Sequence, residues 1–294
     1  MTRLLSPQMG ETICSPHAAC RPTVSVSEEA SARELLDGLH FIWLELTGRC
    51  NLRCRHCYAD SLPSIPLNGE MRFTDWCNVL TEAATLGCRQ VQFIGGEPTL
   101  YPQLVGLLAH ARESGYSRVE VFTNGVRLGD ALLRALVKYG VGVNFSVYSA
   151  DPIIHDAVTQ HGGSFAATAK SIARAVGRGL KVRASIITMP TDADQAETTK
   201  RFLYGLGVTE IGVDRVRSVG RGSSIAVGDA RSKLCGACWR GTIAIDPNGR
   251  VFPCVFARDV DLGHVSKGLA GILDSRRLRD FRKAVSSQFE CQTI

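Results

Sequence analysis

Residues 41–58 read FIWLELTGRCNLRCRHCY, an apolar stretch followed directly by three cysteines. The apolar half is typical of a buried β-strand. Cys50, Cys54 and Cys57 then follow with the spacing C-x3-C-x2-C. A tight loop with this spacing directs three thiolates at three irons of one cubane, because [4Fe–4S] clusters are held by cysteine thiolates. The fourth iron is left without a protein ligand, and an open metal position is typical of a reactive site.

A structural zinc ion is the alternative for this cysteine loop. Such a site needs a fourth Cys or His close by, and His56 is the adjacent candidate. In so tight a loop, His56 is expected to point away from the three sulfurs. An iron–sulfur cluster is therefore the preferred interpretation.

Strand-like stretches recur along the chain and alternate with helical patterns. Five further stretches rich in Val, Ile and Phe predict buried strands at residues 90–95, 118–123, 141–148, 180–188 and 208–216. Helical patterns lie between them, several ending in Gly, at residues 73–87, 102–115, 129–140, 164–179 and 192–207. Six strands alternating with helices predict an α/β protein with a parallel sheet, open or curved into part of a barrel. Ligands are then expected at the C-terminal ends of the strands, where the cysteine loop lies.

The alternation stops near residue 217. Residues 218–233, SVGRGSSIAVGDARSK, are rich in Gly and Ser and predict a linker, with a domain boundary near residue 225. Beyond it, TIAIDPNGRVFP at residues 242–253 predicts a β-hairpin, and residues 269–287 predict a helix. We therefore expect three parts: a mobile N-terminal arm (1–38), a barrel-like domain (39–225) and a small C-terminal domain of hairpin plus helix (226–294).

Composition and charge narrow the class of protein. Lys and Arg total 34 and Asp and Glu total 28, a net charge of +6, and no block of like charges is present. A solvated surface is expected, with no nucleic-acid or membrane partner. No apolar run approaches the roughly 20 residues that span a membrane, and the N-terminus lacks the apolar core of a signal peptide. We expect a cytoplasmic protein, whose eleven cysteines point to metal binding rather than disulfides.

Two motifs together resemble the radical S-adenosylmethionine (SAM) superfamily. CNLRCRHCY follows the first predicted strand, and GGEP at residues 95–98 follows the second. The resemblance spans residues 41–291 and implies a partial (β/α)6 TIM-like barrel with a small C-terminal hairpin-plus-helix iron–sulfur extension. It further implies that SAM occupies the open iron and is cleaved reductively to a 5′-deoxyadenosyl radical that abstracts hydrogen. The electron would come from a reducing partner such as flavodoxin or ferredoxin.

The resemblance also implies a set of SAM contacts in the cysteine loop and at the strand ends. The glycine carbonyls and the Glu97 carboxylate are expected to receive the methionyl ammonium, and His56 to lie against the adenine. Arg183 is the weakest candidate, with a plain surface charge as its alternative. The full set is His56, Gly95, Gly96, Glu97, Thr123, Asn124, Ser146 and Arg183.

A second group of cysteines lies in the C-terminal part. It runs C-x2-C, then a hairpin with G-x4-C, then a distant cysteine, at Cys235, Cys238, Cys254 and Cys291. This order resembles the SPASM and twitch extensions of radical SAM enzymes, which implies one auxiliary [4Fe–4S] cluster in a shortened domain. Two alternatives remain: a structural zinc ion held by the same four cysteines, or ligation by only three. In the latter case Cys254 is the candidate for a free thiol that donates a hydrogen atom.

Four cysteines and six other side chains complete the candidates. Cys77 and Cys88 are expected to be small core or surface residues, and Cys14 and Cys20 receive no role. Side chains near the predicted strand ends are candidates for lining a substrate pocket: Tyr148, Asp151, His155, His161, Asp214 and Arg217.

Three functions compete at this stage. The preferred interpretation is epimerisation or dehydrogenation of a sugar-like or aminocyclitol natural product in antibiotic-type secondary metabolism, because the chain is compact and its auxiliary module is short. The alternative is maturation of a ribosomally synthesised peptide by thioether formation, carbon–carbon crosslinking or D-residue formation. The arm of about 38 residues is shorter than the leader-binding domain such enzymes often carry, which weighs against it. A redox or cluster-carrying protein is the third possibility, and GGEP in its expected place argues against that one.

Overall fold

The computed structural model describes residues 38–190, 195–226, 234, 238 and 240–290. Six strands, parallel and in sequential order, form the sheet that was predicted: β1 Phe41–Glu45, β2 Gln90–Ile94, β3 Arg118–Thr123, β4 Gly142–Val147, β5 Val182–Thr188 and β6 Glu210–Arg215. The sheet is not closed, and its strand order, β6-β5-β4-β3-β2-β1-β7-β8-β9, leaves β6 at one edge. The α/β partial-barrel prediction is confirmed.

Helices connect the strands on one side of the sheet. They are α1 Phe73–Thr85, α2 Leu104–Glu113, α3 Asp130–Lys138, α4 Pro152–Thr159, α5 Ser164–Gly177 and α6 Gln195–Gly205. α4 was not predicted: its eight residues begin at Pro152, and the Asp151 carboxylate caps it by accepting from the Ile153 and Ile154 amides. Among the described residues, no helix is long and apolar enough to cross a membrane.

The C-terminal hairpin extends the same sheet. β7 (Thr242–Ile245) and β8 (Arg250–Phe252) form the predicted antiparallel pair, followed by the short β9 (Gly263–His264). β7 also pairs in parallel with β1, with Phe41 opposite Thr242. The helix predicted over residues 269–287 is two helices, α7 (Leu269–Leu273) and α8 (Arg276–Glu290). The region of the predicted auxiliary cysteines is therefore attached directly to the first barrel strand.

The two faces of the sheet differ in chemistry because side chains alternate along a strand. In β1, Ile42 and Leu44 join the main core beneath the helices, whereas Trp43 joins an apolar cluster on the opposite face. Trp76 of α1 is fully buried in the main core, and burying such a side chain is worth roughly 1.5–3 kcal/mol. The face opposite the helices is the barrel interior, and it carries the polar residues that matter for the site.

Residues 1–37, 191–194, 227–233, 235–237, 239 and 291–294 lie outside the described residues. The predicted N-terminal arm falls there, as do Cys14, Cys20, Cys235 and Cys291. Part of the predicted linker is described: residues Gly220–Ser224 form a short 3-10 helix.

Candidate active site

The three loop cysteines follow β1 and lie close together. Cys50 is buried, and Cys54 and Cys57 are half-buried. Burial, the Glu97 carboxylate and the two other sulfurs raise the pKa of Cys50, and burial raises that of Cys54 to about 12. Clustered buried thiols of this kind ionise readily only when a cation sits among them. That donor set fits a cationic cluster.

Hydrogen-bond donors converge on two of these sulfurs. The Leu52 amide lies 3.4 Å from Cys50 Sγ, and Asn124 Nδ2 lies 3.7 Å from the same atom. The Tyr148 hydroxyl is 3.9 Å from Cys54 Sγ. Donors placed around thiolates are the usual surroundings of an iron–sulfur cluster, where they tune its potential.

The glycine pair of GGEP packs against the start of the cysteine loop. A Cβ at Gly95 would lie 2.6 Å from the Thr47 carbonyl oxygen, and one at Gly96 would lie 2.3 Å from that of Arg49. The Gly96 amide donates to Thr47 O at 2.7 Å, and the Glu97 amide to Arg49 O at 2.9 Å. Glycine is required here because backbone meets backbone. The turn after β2 thus fixes where the cysteine loop begins.

Glu97 joins this turn to the end of β3. Its carboxylate accepts from the Thr99 amide (3.1 Å) and hydroxyl (2.7 Å), from the Thr123 hydroxyl (2.6 Å) and from the Asn124 amide (2.9 Å). Burial raises the pKa of Glu97, and these donors counteract the rise. Asn124 Nδ2 also donates to Asn51 Oδ1 at 2.9 Å. Four of the predicted positions, Gly95, Gly96, Glu97 and Asn124, therefore meet around Cys50, and the contact of Glu97 with SAM's ammonium stays a prediction.

His56 and Ser146 lie near Tyr148, beside Cys54. The rings of His56 and Tyr148 are 4.8 Å apart, edge to face. Burial, with the charge of Arg221 adding to it, lowers the pKa of His56 to about 4, so the imidazole is neutral at pH 7. Among the described residues, the buried Nδ1 of His56 and Nδ2 of Asn51 have no hydrogen-bond partner. Orphaned polar atoms beside the three cysteines fit a site built for a polar cofactor.

Arg183 lies elsewhere, which corrects its assignment as a SAM contact. It stands at the N-terminal end of β5, whereas the cysteine loop is at the C-terminal ends of the strands. Its guanidinium pairs with Glu120 at 3.2 Å and with Glu210 at 3.3 Å. These carboxylates, with Gln92 donating to Glu120, fill the opposite end of the barrel interior.

Three of the pocket candidates have local structural roles. Asp151 is the N-cap of α4. His155 is buried, with Nδ1 3.1 Å from the Ser164 hydroxyl. His161 begins the exposed turn between α4 and α5. The His155 ring also lies 5.2 Å from the ring of Tyr148, which stands beside Cys54.

A polar and aromatic cluster at the barrel mouth connects β1, the cysteine loop and the C-terminal segment. The buried Glu45 carboxylate, at the end of β1, pairs with Arg258 and accepts from the Tyr58 hydroxyl at 3.3 Å. The Tyr58 and Phe256 rings are 5.4 Å apart. Sequence reasoning missed Glu45, although a charged residue inside the apolar stretch FIWLEL is itself a signal.

The end of β6 completes this mouth. The Arg217 guanidinium makes bonds of 2.7 and 2.8 Å to the two Asp214 carboxylate oxygens, and both residues are buried. Arg217 also lies 5.7 Å from the centre of the Phe256 ring. Asp214 and Arg217 were predicted pocket residues, and the structure brings them to the same opening as Tyr58 and Phe256.

The described part of the auxiliary group is consistent with a shared metal site. Cys238 and Cys254 are buried, and their sulfurs are 3.1 Å apart. They pack with Trp43 and Ile94 from the interior face of the barrel strands. Cys235 and Cys291 lie outside the described residues, so the complete ligand set stays a prediction. Cys77 is half-buried and Cys88 is buried in the main core, as expected of packing residues.

A cavity of about 370 Å³ reaches the cysteine loop from outside. It is lined by Arg49, Cys50, Asn51, Pro63, Leu67, Leu100 and Arg127. Two guanidinium groups give its wall a positive character beside Cys50.

Family models match two separate parts of the chain. The model of the radical SAM superfamily matches residues 44–203, and SPASM, an iron–sulfur cluster-binding domain, matches residues 235–293. The chain is 27% identical over 282 residues to the antilisterial bacteriocin subtilosin biosynthesis protein AlbA of Bacillus subtilis (strain 168), covering 84% of this chain and 61% of that protein. It is 30% identical over 251 residues to the PqqA peptide cyclase of Streptomyces rochei, covering 72% of this chain and 68% of that one.

Solved structures share the fold. Streptococcus suis SuiB bound to its precursor peptide SuiA superposes with a TM-score of 0.71 at 16% identity, over 85% of this chain and 68% of that one. BtrN in complex with AdoMet and 2-DOIA superposes with a TM-score of 0.54 at 17% identity, over 87% and 90%. The cofactors of the matched families are SAM, a SAM-binding [4Fe–4S] cluster and auxiliary iron–sulfur clusters. Matched over more than half its length, and carrying CNLRCRHC and GGEP at the ends of its first two strands, this chain belongs to the radical SAM superfamily and has a SPASM-type C-terminal domain.

Proposed function

We propose that this radical SAM enzyme modifies a ribosomally made precursor peptide, by forming a thioether or carbon–carbon link or a D-residue. The observation that carries the proposal is the agreement among its relatives: AlbA is a subtilosin biosynthesis protein, and the S. rochei relative is a PqqA peptide cyclase. The SuiB structure with the same fold holds the precursor peptide SuiA. These likenesses support the peptide substrate over the sugar-like substrate that the sequence alone favoured.

One group of residues on this chain is placed to hold the cofactors, and a second group lines the opening through which substrate would enter. When bound, the cluster and SAM supply a 5′-deoxyadenosyl radical, which takes one hydrogen atom from a substrate carbon. Cys50, Cys54 and Cys57 would hold the cluster, and the neutral imidazole of His56 would offer SAM an uncharged surface. Glu97 keeps the ends of β2 and β3 together beside them.

The barrel mouth suits an extended chain. β6 is an edge strand, so the sheet leaves an open side next to Arg217 and Phe256. Tyr58 and Phe256 present aromatic surface there, beside the Asp214–Arg217 and Glu45–Arg258 ion pairs. An open-sided site with aromatic walls supports an extended peptide substrate more than a small enclosed one.

The electron for SAM cleavage is proposed to come from an acidic one-electron carrier of the flavodoxin or ferredoxin class. Arg53 and Arg55 are exposed between the loop cysteines, and Arg127 is exposed at the neighbouring cavity. Cationic residues around the cluster loop attract an acidic carrier at low salt. SAM cleavage supported by such a carrier should fall with rising ionic strength, whereas cleavage supported by a small chemical reductant should not.

Co-expression tests the substrate. The enzyme is expressed with each short open reading frame encoded beside its gene, and the peptides are analysed by mass spectrometry. A mass change in one peptide, with 5′-deoxyadenosine formed in vitro and neither seen with the Cys50/Cys54/Cys57→Ala variant, supports the proposal. If every peptide is unchanged while 5′-deoxyadenosine forms with a cyclitol or sugar substrate, the proposal is wrong.

A sugar-like substrate remains the second candidate because of one likeness. BtrN, whose complex holds AdoMet and 2-DOIA, matches this chain over nearly the full length of both. Its superposition is poorer than that of SuiB, with a TM-score of 0.54 against 0.71. The same experiment separates the two candidates.

A further inference from the structure

Residues 219–224 pack tightly against the back of the cysteine loop. The sequence suggested a linker here, but Gly220–Ser224 is a 3-10 helix. A Cβ at Gly220, whose φ is +54°, would lie 2.5 Å from the carbonyl oxygens of Cys57 and Tyr58. A Cβ at Gly222 would lie 2.2 Å from Arg217 O and 3.3 Å from His56 O. The two glycines therefore let this turn approach the loop backbone more closely than any side chain permits.

Arg221, between these glycines, binds the loop at three points. Its amide donates to Cys57 O at 3.0 Å. Its Nε donates to Cys54 O at 3.0 Å, and its Nη2 donates to Ser61 O at 2.8 Å. One residue thus ties together the carbonyls of two cysteines and the end of the loop.

The charge of Arg221 is directed at the loop. Both guanidinium bonds go to neutral carbonyl oxygens, and within the described part of the chain no carboxylate forms an ion pair with it. The side chain is half-buried, so water screens its charge incompletely. A fixed positive charge beside Cys54 stabilises whichever redox form of a bound cluster is the more negative.

We propose that Arg221 is a positioning residue for the SAM-binding cluster, which holds the loop of Cys54 and Cys57 and favours the reduced cluster electrostatically. The electron comes from the one-electron carrier of the flavodoxin or ferredoxin class, and no bond in the protein is made or broken. Donors and charges near the sulfurs are established ways in which a protein sets a cluster potential. The proposal depends on the family chemistry and not on the nature of the substrate.

A redox titration without substrate tests it. The full chain is reconstituted anaerobically, and the SAM-binding cluster is followed by the part of its EPR signal that changes when SAM is added. We expect Arg221→Gln to lower the equilibrium constant for one-electron reduction roughly tenfold, which is about 59 mV. Arg221→Lys keeps the charge and should recover most of this loss.

Arg215→Gln is the matched control. It makes the same charge change at an exposed position of β6, six residues earlier, and should leave the potential at the wild-type value. If Arg221→Gln and wild type have the same potential at equal iron content, or if Arg221→Lys falls as far as Arg221→Gln, the proposal is wrong. If Arg221→Gln does not retain the cluster, the other two variants test the proposal. Wild-type iron content and potential in both Arg221→Lys and Arg215→Gln support the proposal. Loss of iron or a lowered potential in Arg221→Lys overturns it.

Discussion

Gly96→Ala tests whether the glycine pair after β2 serves the cysteine loop. A Cβ at Gly96 would lie 2.3 Å from the Arg49 carbonyl oxygen and 2.5 Å from its carbonyl carbon. Both atoms belong to the backbone, so no side-chain rotation relieves the clash. The two segments must separate, which stretches the bonds from the Gly96 amide to Thr47 O and from the Glu97 amide to Arg49 O.

The size of the effect follows from these contacts. Overpacking costs about 1–3 kcal/mol, and each weakened hydrogen bond costs about 0.5–1.5 kcal/mol. We therefore expect Gly96→Ala to lower the free energy of unfolding by about 2–6 kcal/mol. Cys50 directly follows Arg49, so the displaced backbone should also lower iron retention at the SAM-binding site.

Urea unfolding followed by circular dichroism measures the first effect, and iron per chain measures the second. Gly177→Ala is the control, because nothing lies within 4 Å of a Cβ added at that position of α5. It should change the free energy of unfolding by less than about 1 kcal/mol, in the stabilising direction. A Gly96→Ala protein that unfolds like wild type and keeps its iron would refute the close-approach argument.

Three further predictions address the mouth, the auxiliary site and pH. Arg258→Met should lower the free energy of unfolding, measured by urea, by about 3–5 kcal/mol, because the buried Glu45 carboxylate loses its ion-pair partner. Adding Glu45→Gln to this variant should restore part of the lost stability. If the destabilisation of the double variant equals the sum of the two single ones, the argument is wrong. Cys254→Ala should lower the iron content, because its sulfur is 3.1 Å from that of Cys238; unchanged iron with loss of an epimerised product would instead identify Cys254 as a hydrogen donor. Burial lowers the pKa of His155 from 6.5 to about 4, so the unfolded chain binds a proton in that window that the folded chain excludes. The free energy of unfolding should therefore fall as the pH drops from 6.5 towards 4, and less steeply in His155→Gln; equal slopes in urea titrations would disprove it.

The barrel could be predicted because its strands carry their own signal. β1 to β5 are mostly buried, and all six strands lie in stretches rich in Val, Ile and Phe between helical patterns. α4 was missed because eight residues beginning at a proline give too short a periodic pattern. The pairing of β7 with β1 was also missed, because a contact between residues 41 and 242 has no local signature.

The candidate site, like the fold, was predicted from the sequence only in part. The cysteine loop and GGEP were found by spacing, since a ligand pattern within a few residues is visible in the sequence. Arg221 was missed because Gly and Ser around it suggest a linker, although glycines on both sides of one arginine at a strand end are also what a close backbone approach requires. Arg183 was misplaced because strand membership alone does not say which end of the barrel a residue faces.

Glu45 shows why the two cysteine sites should be regarded as one unit. Tyr58, next to Cys57, and Arg258, four residues after Cys254, both bind its carboxylate. A buried carboxylate is costly unless its partners are all present, so this arrangement is stable only with both segments in place. β1 also pairs with β7, which ties the C-terminal hairpin to the same strand. The distance between the SAM-binding and auxiliary sites is therefore set at the end of a single strand. A change that shifts either segment will also shift the other, unless the contacts of Glu45 with Tyr58 or Arg258 are broken.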